Sequence, residues 1–170
     1  MHLRRLSLVL AALLLLLIAA PREATAQTEG IGVGGIVGIS NVNAPTPVGL
    51  SLKGWLTDRQ AITGATSFFI GEDDAPSLWL LQGDLLFHNF NELDVGEGYL
   101  ALYVGPGMQL LIREDVENDV ALRAPVGLSY LLGSAPVDVF MEVAPTLQLT
   151  NPTSLRFDGA FGFRYFLPTN

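Results

Sequence analysis

The sequence predicts an all-β chain, an eight-stranded antiparallel up-and-down barrel that spans a membrane with its strands. Three observations lead there. Past an N-terminal apolar run, side-chain character alternates at period two and shows no 3.6-residue period. Turn residues break the chain seven times at fairly even intervals. The alternation makes two rows: one is apolar, and the other holds Gly, Ala and Ser with one or two charges per segment. A solvent-facing row of a β-sandwich would be rich in Lys, Glu and Thr, so the small-residue row reads as the crowded inside of a narrow barrel.

The first 26 residues stand apart from that pattern. Arg4 and Arg5 precede "LSLVLAALLLLLIAA", then Pro21 and "ATA". A positive start, an apolar middle and small residues at a cut point mark a secretory signal peptide. Residues 1–26 are therefore expected to be removed after Ala26, leaving residues 27–170 as one barrel domain. The chain has no Cys, so it is no lipoprotein and forms no disulfide. Residues 27–170 keep six basic and sixteen acidic side chains, a net charge of about -10. Nucleic acid is not an expected partner of so acidic a chain. Yet 49% of all residues are apolar, and no later apolar run is long enough for a membrane helix. An exported, charge-poor, apolar chain of this kind can bury its surface in lipid only as a closed barrel, because hydrocarbon leaves no water for a free sheet edge.

The breaks lie at 41–47, 57–60, 71–77, 89–98, 113–119, 133–136 and 151–154, each rich in turn formers. The first three segments sort poorly, and "AITGATSFFI" fits either facing. Its glycines make "GIGVGGIVG" resemble a phosphate loop, but it lies in a strand with no helix behind it, so close packing explains it. Segment four sets Trp79, Leu81, Leu85 and Phe87 against Gln82, Asp84 and His88. Segment five sets Leu100, Leu102, Val104, Pro106, Met108, Leu110 and Ile112 against Ala101, Tyr103, Gly105, Gly107 and Gln109. Segment six sets Val120, Leu122, Ala124, Val126, Leu128 and Tyr130 against Ala121, Arg123, Pro125, Gly127 and Ser129. Segment seven sets Val137, Val139, Met141, Val143, Pro145, Leu147 and Leu149 against Asp138, Phe140, Glu142, Ala144, Thr146 and Gln148. The last, "FDGAFGFRYF", turns Phe157, Phe161, Phe163 and Tyr165 outward and Asp158 and Arg164 inward. Trp55 and Trp79 suit an interfacial belt.

The inward row carries Lys53, Arg123, Arg156 and Arg164 against Asp84, Asp138, Glu142 and Asp158. Equal numbers of each sign can pair, as buried charges must. Register from the hairpin breaks puts Arg164 beside Asp138, with Glu142 one inward step further, and sets Lys53 and Asp84 on either side of strand three over Gly64, Thr63 or Ala65.

This pattern resembles the small outer-membrane barrels of the OmpX and OmpA-transmembrane-domain type. The alternation of Phe157, Phe161, Phe163 and Tyr165 is similar to the C-terminal signal read by the outer-membrane assembly machinery, although "LPTN" follows Phe166. "GLSLKGWL", "LLFHNF", "LRAPVGLSYLL", "PVDVFMEVAP" and "GAFGFRYF" are similar to a family of uncharacterised bacterial outer-membrane barrel proteins that carries no agreed activity. The resemblance implies a Gram-negative outer membrane, both termini periplasmic, and contact with membrane lipid, lipopolysaccharide and that machinery. The external loops would be 41–47, 71–77, 113–119 and 150–153, two of them acidic through Glu72, Asp73 and Asp74, and through Glu114, Asp115, Glu117 and Asp119. Neither has calcium-loop spacing, so solvated loops are expected rather than a cation bridge to lipopolysaccharide.

Catalysis is not expected. His88, the sole His after the signal, falls at the periplasmic end of strand four and reads as a rim residue. No cofactor or metal site is indicated. The expected function is that of a monomeric, non-enzymatic barrel with a side-chain-filled lumen and a structural or surface-interaction role. Two alternatives are a narrow or gated pore and a soluble periplasmic lipocalin-like carrier.

Overall fold

The computed structural model describes residues 30–40, 47–69, 77–88, 93–113, 117–150 and 152–167. The expected signal peptide lies outside them, as do Glu72, Asp73, Asp74, Glu114 and Asp115. The strands are β1 (Ile31–Ser40), β2 (Val48–Thr57), β3 (Gln60–Phe69), β4 (Leu78–His88), β5 (Leu93–Val95), β6 (Gly98–Val104), β7 (Gly107–Arg113), β8 (Asp119–Arg123), β9 (Val126–Leu131), β10 (Val137–Gln148) and β11 (Ser154–Leu167).

All pairings are antiparallel, and they close. β1 through β4 pair in sequence, β4 pairs with both β6 and β7, β8 and β9 pair onward to β10, and β10 pairs with β11, which returns to β1. β6 and β7 keep one register with β4, and β8 and β9 one register with β10, so each couple is a continuous stave broken only at a proline. The ring thus has eight staves, which abolishes free edges. The expected turn at 89–98 is shorter than the sequence suggests. β5 pairs with β6 beyond the end of β4 and lengthens the fourth stave, and the reversal is Val95–Gly98 with Gly96 at φ 63°. That left-handed conformation suits Gly.

The two faces differ in the sense opposite to a water-soluble barrel. Leu50, Leu52, Ile62, Phe68, Leu128, Val139, Met141, Val143 and Phe161 point outward and are exposed. Lys53, Asp84, Arg123, Asp138, Glu142 and Arg164 point inward and are buried. The facing of β3, open in the sequence, is settled: Ala61, Thr63 and Ser67 face in, and Ile62 and Phe68 face out. An apolar lumenal patch of Ile36, Phe140 and Ala160 packs at the β1–β10–β11 side.

Candidate functional site

The inward side chains form three stacked polar tiers along the lumen. The tier nearest Ile31 and Leu167 centres on Asp138, which is fully buried. Its Oδ2 accepts from Lys53 Nζ at 3.0 Å and from Ser129 Oγ at 3.1 Å, and lies 3.5 Å from Arg164 Nη1. Arg164 Nε donates to Ser51 Oγ at 2.9 Å, and its guanidinium lies 3.8 Å from the centre of the Phe140 ring. Lys53 Nζ also sits 3.1 Å from His88 Nε2 and 4.3 Å above the Trp55 ring. The His88 ring packs between Trp55 and Tyr103.

The middle tier is a bonded chain across five staves. Tyr103 Oη donates to Glu142 Oε2 at 2.8 Å. Arg123 Nη2 donates to Glu142 Oε1 at 2.5 Å, and Arg123 Nε lies 3.2 Å from Asp84 Oδ1. Asp84 Oδ2 accepts from Thr63 Oγ1 at 3.5 Å. The upper tier is wetter. Arg156 Nε pairs with Asp158 at 3.1 Å, and its Nη2 donates to Gln109. Arg156 is 28% exposed and Asp158 18%, against 5% or less for Lys53, Asp84, Arg123, Asp138, Glu142 and Arg164.

Glycines set the geometry. Each of three key contacts passes over one stave that carries a Gly at that level. Arg164 reaches Ser51 across Gly34, Arg123 reaches Asp84 across Gly107, and Tyr103 reaches Glu142 across Gly127. A Cβ on Gly107 would collide with the Asp84 carboxylate, one on Gly127 with the Tyr103 ring, and one on Gly34 with the Phe163–Arg164 backbone. The gap bordered by Ser51, Thr63, Asp84, Glu142 and Arg164 has essentially no volume open to water.

All eight charged residues singled out in the sequence face the lumen. Arg164 and Asp138 stand directly opposite in register, one place from the expected position. Lys53 and Asp84 both stand opposite Thr63, as one of the expected registers has it. The pairing is different from the expected Lys53–Asp84 bridge. Lys53 goes to Asp138 and Asp84 to Arg123, because β1 opposite Lys53 carries only Gly32, and β7 opposite Asp84 only Gly107. His88 is no rim residue; it is buried against Lys53. Trp55 likewise points into the lumen instead of joining an interfacial belt, whereas Trp79 faces out and donates to Thr66 Oγ1 at 2.5 Å. Their parity carried the signal: Trp55 shares the row of Ser51 and Lys53, and His88 that of Asp84. Of the acidic loop residues, Glu117 is exposed. Asp119 is not in a solvated loop. It is buried at the start of β8, paired with Arg113 at 2.5 Å and accepting from Gln148 and Thr150.

No protein-family profile and no curated protein matches the sequence. Among solved structures, the chain is similar to the N-terminal β-barrel domain of Pseudomonas aeruginosa OprF, with a TM-score of 0.55 and 15% identity over 81% of this chain and 98% of that one. At that identity the likeness is one of fold.

Proposed function

We propose that the chain is a non-enzymatic integral barrel of a Gram-negative outer membrane, its lumen closed by its own side chains, serving a structural or surface-interaction role as a monomer. The observation that carries this reading is the inversion of the two faces. An outer surface of Leu, Val, Ile, Met and Phe around a charged interior suits hydrocarbon outside, and the strand lengths and even number suit a transmembrane barrel. The likeness to the OprF barrel domain supports the same architecture. The outward alternation of Phe157, Phe161, Phe163 and Tyr165 fits delivery by the outer-membrane assembly machinery. Exposed Trp79 suits the lipid headgroup level, where lipopolysaccharide would meet the barrel.

A lipocalin-like carrier would need an apolar inside and a polar outside, the opposite of this arrangement. A pore would need open lumenal volume, which the tight middle tier does not offer. Catalysis has little support: Asp84, Asp138, Glu142 and Asp158 each face a cation, and His88 is walled in by Trp55, Tyr103 and Lys53. Two measurements test the reading. Carbonate should leave the protein in the membrane pellet, and detergent should release it; release by carbonate alone contradicts membrane integration. Planar-bilayer recording should show no steady conductance; a stable open channel would favour the pore.

A further inference from the structure

Three of the prolines sit where a closed sheet should not hold them. Pro106, Pro125 and Pro145 lie inside staves, at positions that pair with a neighbour by two ladder hydrogen bonds. One bond of each pair is present: Leu85 N–H to Pro106 O at 2.9 Å, Gly105 N–H to Pro125 O at 3.1 Å, and Ala124 N–H to Pro145 O at 3.0 Å. The return bond is chemically impossible, because Pro has no N–H. The missing bonds fall on three consecutive interfaces: β4 with the β6/β7 stave, that stave with β8/β9, and β8/β9 with β10. They run in line across the wall. Pro47 and Pro136 take similar places, but at stave ends, where fraying costs little. Within strands, prolines are otherwise confined to edges, first positions and bulges.

Four members of the middle-tier chain come from the same four staves. Asp84 comes from β4, Tyr103 from β6, Arg123 from β8 and Glu142 from β10. We propose that these features form one device: a proline crease that weakens the wall between β4 and β10, and a lumenal clasp of Asp84, Arg123, Glu142 and Tyr103 that holds the crease shut. The β11–β1–β2–β3 side is the fixed half of the barrel, with a continuous register from Ile31 to Ser40 against β11. Opening, when it occurs, starts at the crease and needs the clasp to part. This goes beyond the closed-barrel reading and rests on it.

Amide hydrogen exchange on the full folded chain in micelles tests the device. The amides of Leu85, Gly105 and Ala124 should exchange faster than those of the β1–β11 ladder, by about tenfold or more, since local opening sets the rate. Tyr103→Phe, which removes only the hydroxyl of the clasp, should speed those three amides further, by about threefold to tenfold, as loss of one buried hydrogen bond predicts, and leave β1 and β11 unchanged. The triple variant Pro106→Ala, Pro125→Ala, Pro145→Ala restores the three donors and should bring the three amides down to the rate of the rest of the wall. Uniform acceleration around the ring in Tyr103→Phe overturns the clasp. Unchanged exchange in the alanine variant, which does not depend on the clasp being perturbed, overturns the crease. Steady conductance or loss from the membrane would instead bear on the closed-barrel reading itself.

Discussion

The lower two lumenal tiers and the upper one use the same residue types to different effect. Asp138 holds Lys53 and Arg164 with almost no exposure to water, whereas Arg156 and Asp158 pair where both are partly exposed. A buried charge that loses its partner keeps the cost of its lost hydration, while a solvated pair gains little over its separated members. Position along the barrel therefore decides which ion pairs matter. Breaking a pair in the two closed tiers should cost more than breaking one at the mouth.

That contrast can be broken most directly at Asp138. Asp138→Asn leaves Lys53 and Arg164 facing each other without a full counter-charge, and should cost about 3–5 kcal/mol in denaturant unfolding from micelles. A cost near that of a surface pair would erase the distinction between tiers. On the outer face, Val143→Arg, midway along β10, should cost about 2–4 kcal/mol if that face meets hydrocarbon as proposed. Unchanged stability there would mean that the apolar face does not meet lipid. Gly127→Ala sharpens the role of the bare staves. Its new methyl meets the Tyr103 ring, and the crowding should cost about 1–3 kcal/mol. The smallest effect is expected at the mouth. Arg156→Met should change unfolding by about 0–1 kcal/mol, and a large loss would show the upper tier to be as dry as the others.

Much of this was legible from parity. Alternation alone sorted β4 and the staves from Leu100 to Arg164 into their correct faces, because a period-two pattern with one apolar row admits one facing. It failed on β3, where Thr, Gly, Ala and Ser give neither row a clear character. Hairpin counting placed Arg164 within one residue of its partner and put Lys53 level with Asp84. Counting cannot see across the lumen, however. Which side chains meet depends on the staves that present glycine between them. Gly32 lets Lys53 turn toward Asp138, and Gly107 gives Asp84 to Arg123. The inward Trp55 and His88 were readable by parity, but the habit of placing Trp at interfaces and a stave-end His at the rim hid them. Asp119 read as loop because it follows a run of acids. Arg113 and Gln148, both distant in sequence or across the hairpin, draw it into β8.

The central claim is that paired charges, buried from solvent, close the lumen. A double-mutant cycle on Lys53→Met and Asp138→Leu tests it most directly, with Arg156→Met and Asp158→Leu as the partly exposed reference. For the buried pair the double variant should be less destabilised than the sum of the two single variants, with a coupling of about 2–3 kcal/mol, because Lys53 is no longer left without its carboxylate, while the loss that Arg164 suffers is common to both Asp138 variants and cancels in the cycle. The reference pair should couple by less than about 1 kcal/mol. Simple additivity at Lys53 and Asp138 would contradict the account, since it would mean that the two charges stand apart in a lumen wet enough to solvate each alone.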